Sequence, residues 1–286
     1  MKKNILKNIL ILSLVLLSSI NVFAQGNGEK QQSDSTQLRV GVSPGPYGSM
    51  VEKALKPYLE KLGYSVEVIT FSDWVQPDVA LANGEIEANL MQHTVYLEAF
   101  SKANNLNLDK IIAVPTAGAG VFSNKYTSLD QLEDGDQIAF ASDATNLARS
   151  LRILSQHGII TLKENIDPTK ASLLDIASNP KNLEFVTLDG AQISRSLDSV
   201  EVAIVPGNYA IAAKLDYTKA LAIEKLDEGY KNVITVRSED VNSQLGKDLK
   251  DAVESQDFYL AITSKDDIFT SFDKPQWWID KYGSEN

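Results

Sequence analysis

Apolar and polar positions along this chain follow two alternating rhythms. Residues 38–42 (Leu38 to Val42) form a short apolar run that predicts a buried strand, and 64–70 alternate with period two as a second strand. Between them Val51, Leu55, Tyr58, Leu59 and Leu62 recur at helical spacing, and Gly63 is a natural stop for that helix. Residues 77–83 suit a short helix ended by Gly84, and 85–91 suit a strand. Thr94 is placed to cap a helix over 95–103. Strand and helix in alternation is the grammar of a parallel sheet covered on both faces.

The rhythm restarts after Pro115. It predicts strands at 120–123, 137–141, 183–188, 200–205 and 232–236, and helices at 145–157, 208–215 and 244–255. Gly158 stops the first of these helices, and the aromatic stretch with Trp277 and Trp278 predicts a terminal helix docked on one lobe. No short-period repeat is present, which excludes solenoids and propellers. Two linked α/β lobes fit the pattern, with crossings near Pro115 and Tyr230.

The N-terminus reads as an export signal. Lys2, Lys3 and Lys7 precede an apolar run from Ile9 to Ile20, and Val22-Phe23-Ala24 predicts cleavage after Ala24. The run is short of the ~20 residues a membrane-spanning helix needs. Residues 25–37 are polar and predict a flexible leader. There is no cysteine in the 286 residues, which excludes disulfides, a thiolate metal site, a thiol nucleophile and a lipid-modified cysteine. The expected mature protein is exported and free. The net charge of the whole 286-residue chain is −11, with no block of lysine or arginine, so nucleic acid is excluded as a partner.

Enzyme chemistry finds little support. The two histidines, His93 and His157, cannot build a histidine-rich metal site, and His157 beside Gly158 suits a helix C-terminus. No nucleophile elbow G-x-S-x-G occurs. The loop from Gly41 to Gly48 lacks the spacing and the lysine of a phosphate loop. No catalytic residue, metal or cofactor is assigned.

Binding chemistry fares better. Asn146 and Arg149, three apart at the opening of a helix, project from one face and suit a carboxylate; the alternative is a surface arginine paired with a nearby Asp. Trp74, Met91 and Tyr96 are candidates for an apolar sleeve, or for ordinary core packing. His93 lies where a strand gives way to a helix, at the crevice of an open α/β sheet. Asn208 stands at a second such edge, as a helix cap or a ligand contact.

As an ordered set, several segments resemble the NlpA-type lipoproteins, the methionine-binding components of bacterial methionine ABC importers. They are Val40-Gly-Val-Ser-Pro-Gly-Pro46, Phe71-Ser-Asp-Trp-Val-Gln-Pro77, Glu87-Ala-Asn-Leu-Met-Gln-His93 with Tyr96-Leu97, Ser128-Leu-Asp-Gln-Leu132, Thr145-Asn146 with Arg149, Asn179-Pro180 and Asn208-Tyr209-Ala210. The resemblance implies an α/β, two-lobed periplasmic binding protein of the Venus-flytrap type, monomeric, closing on an amino acid and docking on a membrane permease. It implies lobe 1 over 38–114 plus 231–286 and lobe 2 over 115–230. Trp74, Met91, His93 and Tyr96 would grip the ligand from the first lobe. Asn146, Arg149 and Asn208 would come from the second, with Arg149 on the carboxylate. Three departures stand out: the lipobox cysteine is missing, Met91 replaces a frequent Phe, and Pro206 stands where the family has a ligand-contacting Asn. Methionine is the expected ligand, another apolar amino acid or short peptide the alternative. A secreted enzyme on the same bilobal fold is the reading from another class.

Overall fold

The computed structural model describes residues 35–265 and 268–283. The expected signal, 1–24, and nearly all of the 25–37 leader lie outside the described residues. The end of that leader does not: β1 begins at Thr36, two residues before the apolar run that marks it in the sequence.

The first half follows the predicted grammar closely. β1 (Thr36–Val42) leads into α1, which opens at Tyr47–Met50, passes a π turn over Val51–Leu55 and ends at Lys56–Lys61. Then come β2 (Tyr64–Thr70), α2 (Gln76–Ala82), β3 (Ala88–His93), α3 (Thr94–Asn104) and β4 (Leu108–Ala113). Of the expected α1 stripe, Val51, Leu55 and Leu59 are buried, but Leu62 is 50% exposed because the helix ends one residue earlier. β4 escaped the sequence reading because Asp109 and Lys110 break its alternation.

The second half holds β5 (Gly120–Phe122), β6 (Gln137–Ala141), α4 (Ala144–Gln156), β7 (Thr161–Leu162), β8 (Ile176–Ser178), β9 (Glu184–Leu188), α5 (Ile193–Ser196), β10 (Val202–Val205), α6 (Gly207–Ala212) and β11 (Ala222–Ile223). β12 (Asn232–Arg237), α7 (Gln244–Val253), α8 (Gln256–Ile262) and α9 (Gln276–Tyr282) complete the chain.

Two five-stranded sheets organise these elements, in the orders β2-β1-β3-β12-β4 and β11-β5-β10-β6-β9. The expectation of purely parallel sheets is corrected. β12 runs antiparallel to both β3 and β4, and β10 runs antiparallel to β5. The reason is topological: each sheet takes in strands from chain that has crossed between the sheets, so the right-handed parallel crossover rule does not govern them. The first sheet packs α1, α7, α8 and α9 around Tyr47, Phe258, Phe269 and the fully buried Trp278. The second carries α4 against Ile138, Phe140, Leu151 and Ile204.

The chain passes between the sheets at 114–119 and again at 224–231, and the two passages are tied together. Thr116 exchanges backbone hydrogen bonds of 3.0 and 2.9 Å with Asp273, whose carboxylate accepts from Leu226 N at 2.8 Å. Thr116 Oγ1 also accepts from Asn232 N at 2.8 Å.

Candidate functional site

β3 is buried along its whole length and sits between β1 and β12, so its C-terminal end can face only the gap between the sheets. Its pairing with β12 skips from Leu90↔Ile234 to Gln92↔Val233, leaving Met91 as an unpaired bulge residue. Such a bulge re-aims a side chain, and here Met91 joins the cavity wall.

His93 ends β3 and caps α3. Its Nδ1 accepts from Tyr96 N at 3.1 Å, the role the sequence reading gave to Thr94. The imidazole nitrogen reaches the third helical amide as an Asn side chain would, so Thr94 is absorbed into the helix. Because Nδ1 accepts, Nε2 carries the proton and donates to Asn146 Oδ1 at 3.2 Å. Burial first, and then the charge of Arg149, push the imidazole down to about 3, so the ring is neutral. With both nitrogens engaged, His93 is a structural clasp between the first sheet and α4.

Trp74 follows β2. Its ring lies 5.2 Å from that of Tyr209 and 6.2 Å, edge-on, from that of Tyr96. Tyr96 in turn stacks on Phe100 at 5.5 Å. Gly190, before α5, makes room for Trp74: a Cβ there would stand 2.5 Å from the indole and 2.9 Å from the Tyr209 ring.

On the facing side, Asp143 caps α4 by accepting from Asn146 N at 3.0 Å and takes both Asn146 Nδ2 contacts at 3.1 Å. That fixes the amide, so its Oδ1 points at His93 and at Arg149 Nη1, 3.4 Å away. Arg149 is 6% exposed, which rules out a surface arginine. Its partner is no Asp: Nε lies 2.9 Å from both oxygens of Glu224, and Nη2 lies 2.5 Å from Oε2. Arg152, one turn on, donates to Glu224 Oε1 at 3.0 Å and to the more exposed Asp227. Burial alone would raise the Glu224 carboxyl, but the Arg149 charge and hydrogen bonds outweigh it and hold the group below its ordinary range. Nη1 is the Arg149 nitrogen held least tightly, by the 3.4 Å bond to Asn146 Oδ1.

Asn208 lies in the first turn of α6, where its Nδ2 donates to Pro44 O at 3.1 Å and Ser43 Oγ at 3.3 Å, joining α6 to the loop after β1. It is thus not the helix cap; Pro206 occupies that position and makes no side-chain bond. Gly45 (φ +134°) permits the approach, since a Cβ there would meet Asn208 O at 2.7 Å.

Trp74, Met91, His93, Tyr96, Asn146, Arg149 and Asn208, the seven residues singled out in the sequence, all line one cavity of about 30 Å³. One water needs ~10–15 Å³, so the space has room for two or three waters and is far too small for a nucleotide. Tyr47, Gln92, Thr116 and Asn232 line it as well and were missed, as was Glu224 behind Arg149. Gln92 could have been suspected from its place beside His93. Glu224 carries no signal, being 75 residues from Arg149 in sequence. The cavity offers one guanidinium edge and several amides beside an aromatic and thioether surface. That combination suits a small molecule with a carboxylate head and an apolar tail.

Comparison with known proteins gives a consistent picture. The model of the NlpA lipoprotein family matches residues 38–277. The D-methionine-binding lipoprotein MetQ of Salmonella typhi is 37% identical over 252 residues, 86% of this chain and 90% of the relative. A periplasmic substrate-binding protein of an ABC transporter from Coxiella burnetii superposes with a TM-score of 0.73 at 40% identity, covering 79% of this chain and 95% of its own. A nutrient binding protein from Burkholderia cenocepacia, solved bound to methionine, gives a TM-score of 0.76 at 36% identity, with coverage of 82% and 97%.

Proposed function

The chain belongs to the NlpA lipoprotein family, and on that premise we propose that it is the substrate-binding component of an ABC importer, holding methionine between two lobes. The observation that carries this reading is the shared cavity in which Arg149 and Asn146 adjoin Trp74, Met91 and Tyr96. The carboxylate lies against Arg149 and the thioether against the aromatic rings, where sulfur–ring contacts are favourable. His93 contributes shape and a neutral wall.

Residues 38–114 with 231–286 form one lobe in this reading, and 115–230 the other. The bonds His93–Asn146 and Asn208–Pro44 span them and hold the closed form. Ligand adds contacts from both sides and so shifts the population toward closure, which a membrane permease then reads. The protein acts as a monomer without catalysis. Having no cysteine to lipidate, it works as a free periplasmic protein after cleavage at Ala24. No described helix is long and apolar enough to cross a membrane.

Calorimetric titration with both stereoisomers of methionine, the other amino acids and simple dipeptides tests the proposal. Saturable heat from methionine supports it. Absence of heat and of a thermal shift with methionine, alongside binding of another apolar amino acid, would move the assignment to that ligand. Pro206 is the residue that favours this second outcome, since it lines the cavity without a polar side chain.

A further inference from the structure

A second concavity shares Ala117 with the cavity described above. It measures about 360 Å³, within the ~300–1,000 Å³ of small-molecule sites. Helix α6 is a wall of both. Gly207 and Asn208 line the first cavity from its opening turn, whereas Ile211, Lys214 and Leu215 line the second from its end and the residues after it. Asn208 and Ile211 are three apart and so lie one turn from each other on neighbouring parts of the helix surface.

The cores of the two sheets meet at this concavity. Phe272 belongs to the core of the first sheet, and Ile211 packs against that core. Leu215 and Tyr217 pack against a core cluster of the second sheet, the one that holds Val205 and Tyr209. The polar groups in the walls are mostly spent. Tyr217 OH donates to Gly118 O at 3.0 Å, and Ser271 Oγ donates to Ile268 O at 2.8 Å. Ile223 and Ile268, by contrast, are 53% and 48% exposed within the same lining. Apolar surface gathered in one concavity is stabilised by an apolar occupant.

Lys214 is the one charged side chain in that lining. No described residue pairs with its ammonium. The nearest acid in sequence, Asp216, accepts from Thr218 N and Oγ1 and lies 3.9 Å from Lys219. Lys214 also has φ +56°, in the left-handed region where glycine or asparagine commonly follows a helix. A long cation therefore stands beside an apolar concavity without a partner of its own.

What fits such a place joins an apolar body to one negative charge. At ~10–15 Å³ for each water-sized group, the volume has room for roughly two dozen. We propose that this concavity binds a medium-chain alkyl carboxylate, its chain between the two cores and its carboxylate on Lys214, and that the occupant favours the closed cleft. The second half follows from the walls. An occupant touching both cores adds contacts to their present arrangement, and α6 and Ala117 carry that arrangement to Asn208 and the cleft. This coupling rests on the two-lobed reading above; the site itself does not. Linkage makes the effect reciprocal.

The experiment titrates the mature protein by calorimetry with hexanoate, octanoate and decanoate, and with octan-1-ol as the uncharged control. The expected result is saturable one-to-one binding that tightens about threefold to fourfold per methylene. Two variants at exposed positions keep the fold. Ile223→Glu puts a charge into the apolar wall and should weaken octanoate and octan-1-ol by about tenfold or more. Lys214→Asn suits the left-handed backbone; it should weaken octanoate about threefold and leave octan-1-ol unchanged. Saturating octanoate should tighten methionine by about fivefold or more, and methionine should tighten octanoate by the same factor.

No saturable heat from any alkanoate, or octanoate binding that Ile223→Glu leaves intact, overturns the site. Octanoate displaced by methionine lies in the cleft and overturns it as well. A dimer in sedimentation that Ile223→Glu dissolves, with no alkanoate heat, gives the surface to a second copy of the chain. Methionine affinity unmoved by octanoate overturns the coupling alone. Protein that binds octanoate but not methionine overturns the methionine reading and upholds this site.

Discussion

Removing Glu224 tests the electrostatic frame of the cavity most directly. Glu224→Ala leaves two guanidinium groups behind α4 with no carboxylate between them: Arg149 loses contacts of 2.5 to 2.9 Å, and Arg152 loses one of 3.0 Å. The Glu224 side chain is 0% exposed and that of Arg149 is 7% exposed, so water cannot take over these roles cheaply. Breaking a buried pair in this way costs roughly 3–5 kcal/mol. In a protein of this size that corresponds to a fall of about 6–20 °C in the unfolding midpoint. The pH dependence has a definite sign. The folded carboxyl is held below its ordinary value of 4.5, so its contribution is complete above pH 4.5 and fades as pH falls through the folded value. Urea unfolding of ligand-free wild type and variant at pH 7 and pH 3.5 should therefore show a large difference that narrows in acid. A difference below about 1 kcal/mol at pH 7, well under the cost of a broken buried pair, or one that does not narrow, refutes the reasoning.

Other substitutions probe the remaining walls. Arg149→Ala should abolish binding of any carboxylate ligand in calorimetry; retained affinity would place the carboxylate elsewhere. His93→Asn keeps a good helix cap but loses the reach to Asn146, so stability should fall by less than the ~0.5–2 kcal/mol expected of His93→Ala. The imidazole itself, pushed down to about 3, should show no NMR titration between pH 8 and 5. Because the unfolded chain takes up that proton near pH 6.5, stability should decline as pH falls below that value. Gly190→Ala forces a methyl into the Trp74 and Tyr209 rings, an overpacking worth about 1–3 kcal/mol, and should weaken ligand binding and change tryptophan fluorescence.

Much of this fold is visible in the chain because its strands are short, apolar and bounded by Gly or Pro. The runs 64–70 and 137–141 coincide with β2 and β6 residue for residue. Strand direction was hidden: nothing in Asn232–Arg237 says that it enters between β3 and β4, because periodicity reports burial and not pairing. The cavity residues were found where a strand gives way to a helix, as at His93 and Asn146. They were missed where their role depends on distant contacts. Arg149 was legible as a cation at a helix opening, but its bond to Glu224 was not.

The insertion of β12 between β3 and β4 bears on the order in which the protein acquires its structure. A chain emerges from synthesis N-terminus first, and the sheet built from β5, β6, β9, β10 and β11 is complete once Ile223 has emerged. The other sheet owns the first four strands to emerge, yet it lacks β12, which stands between β3 and β4, until Arg237 is out, and its core lacks Trp278 until nearly the end. Its early strands must wait with exposed edges, the condition that favours mispairing and aggregation. Folding of the lobe that starts first therefore finishes last, and a truncation between β11 and β12 should yield one folded half and one that is held open to chaperones and proteases.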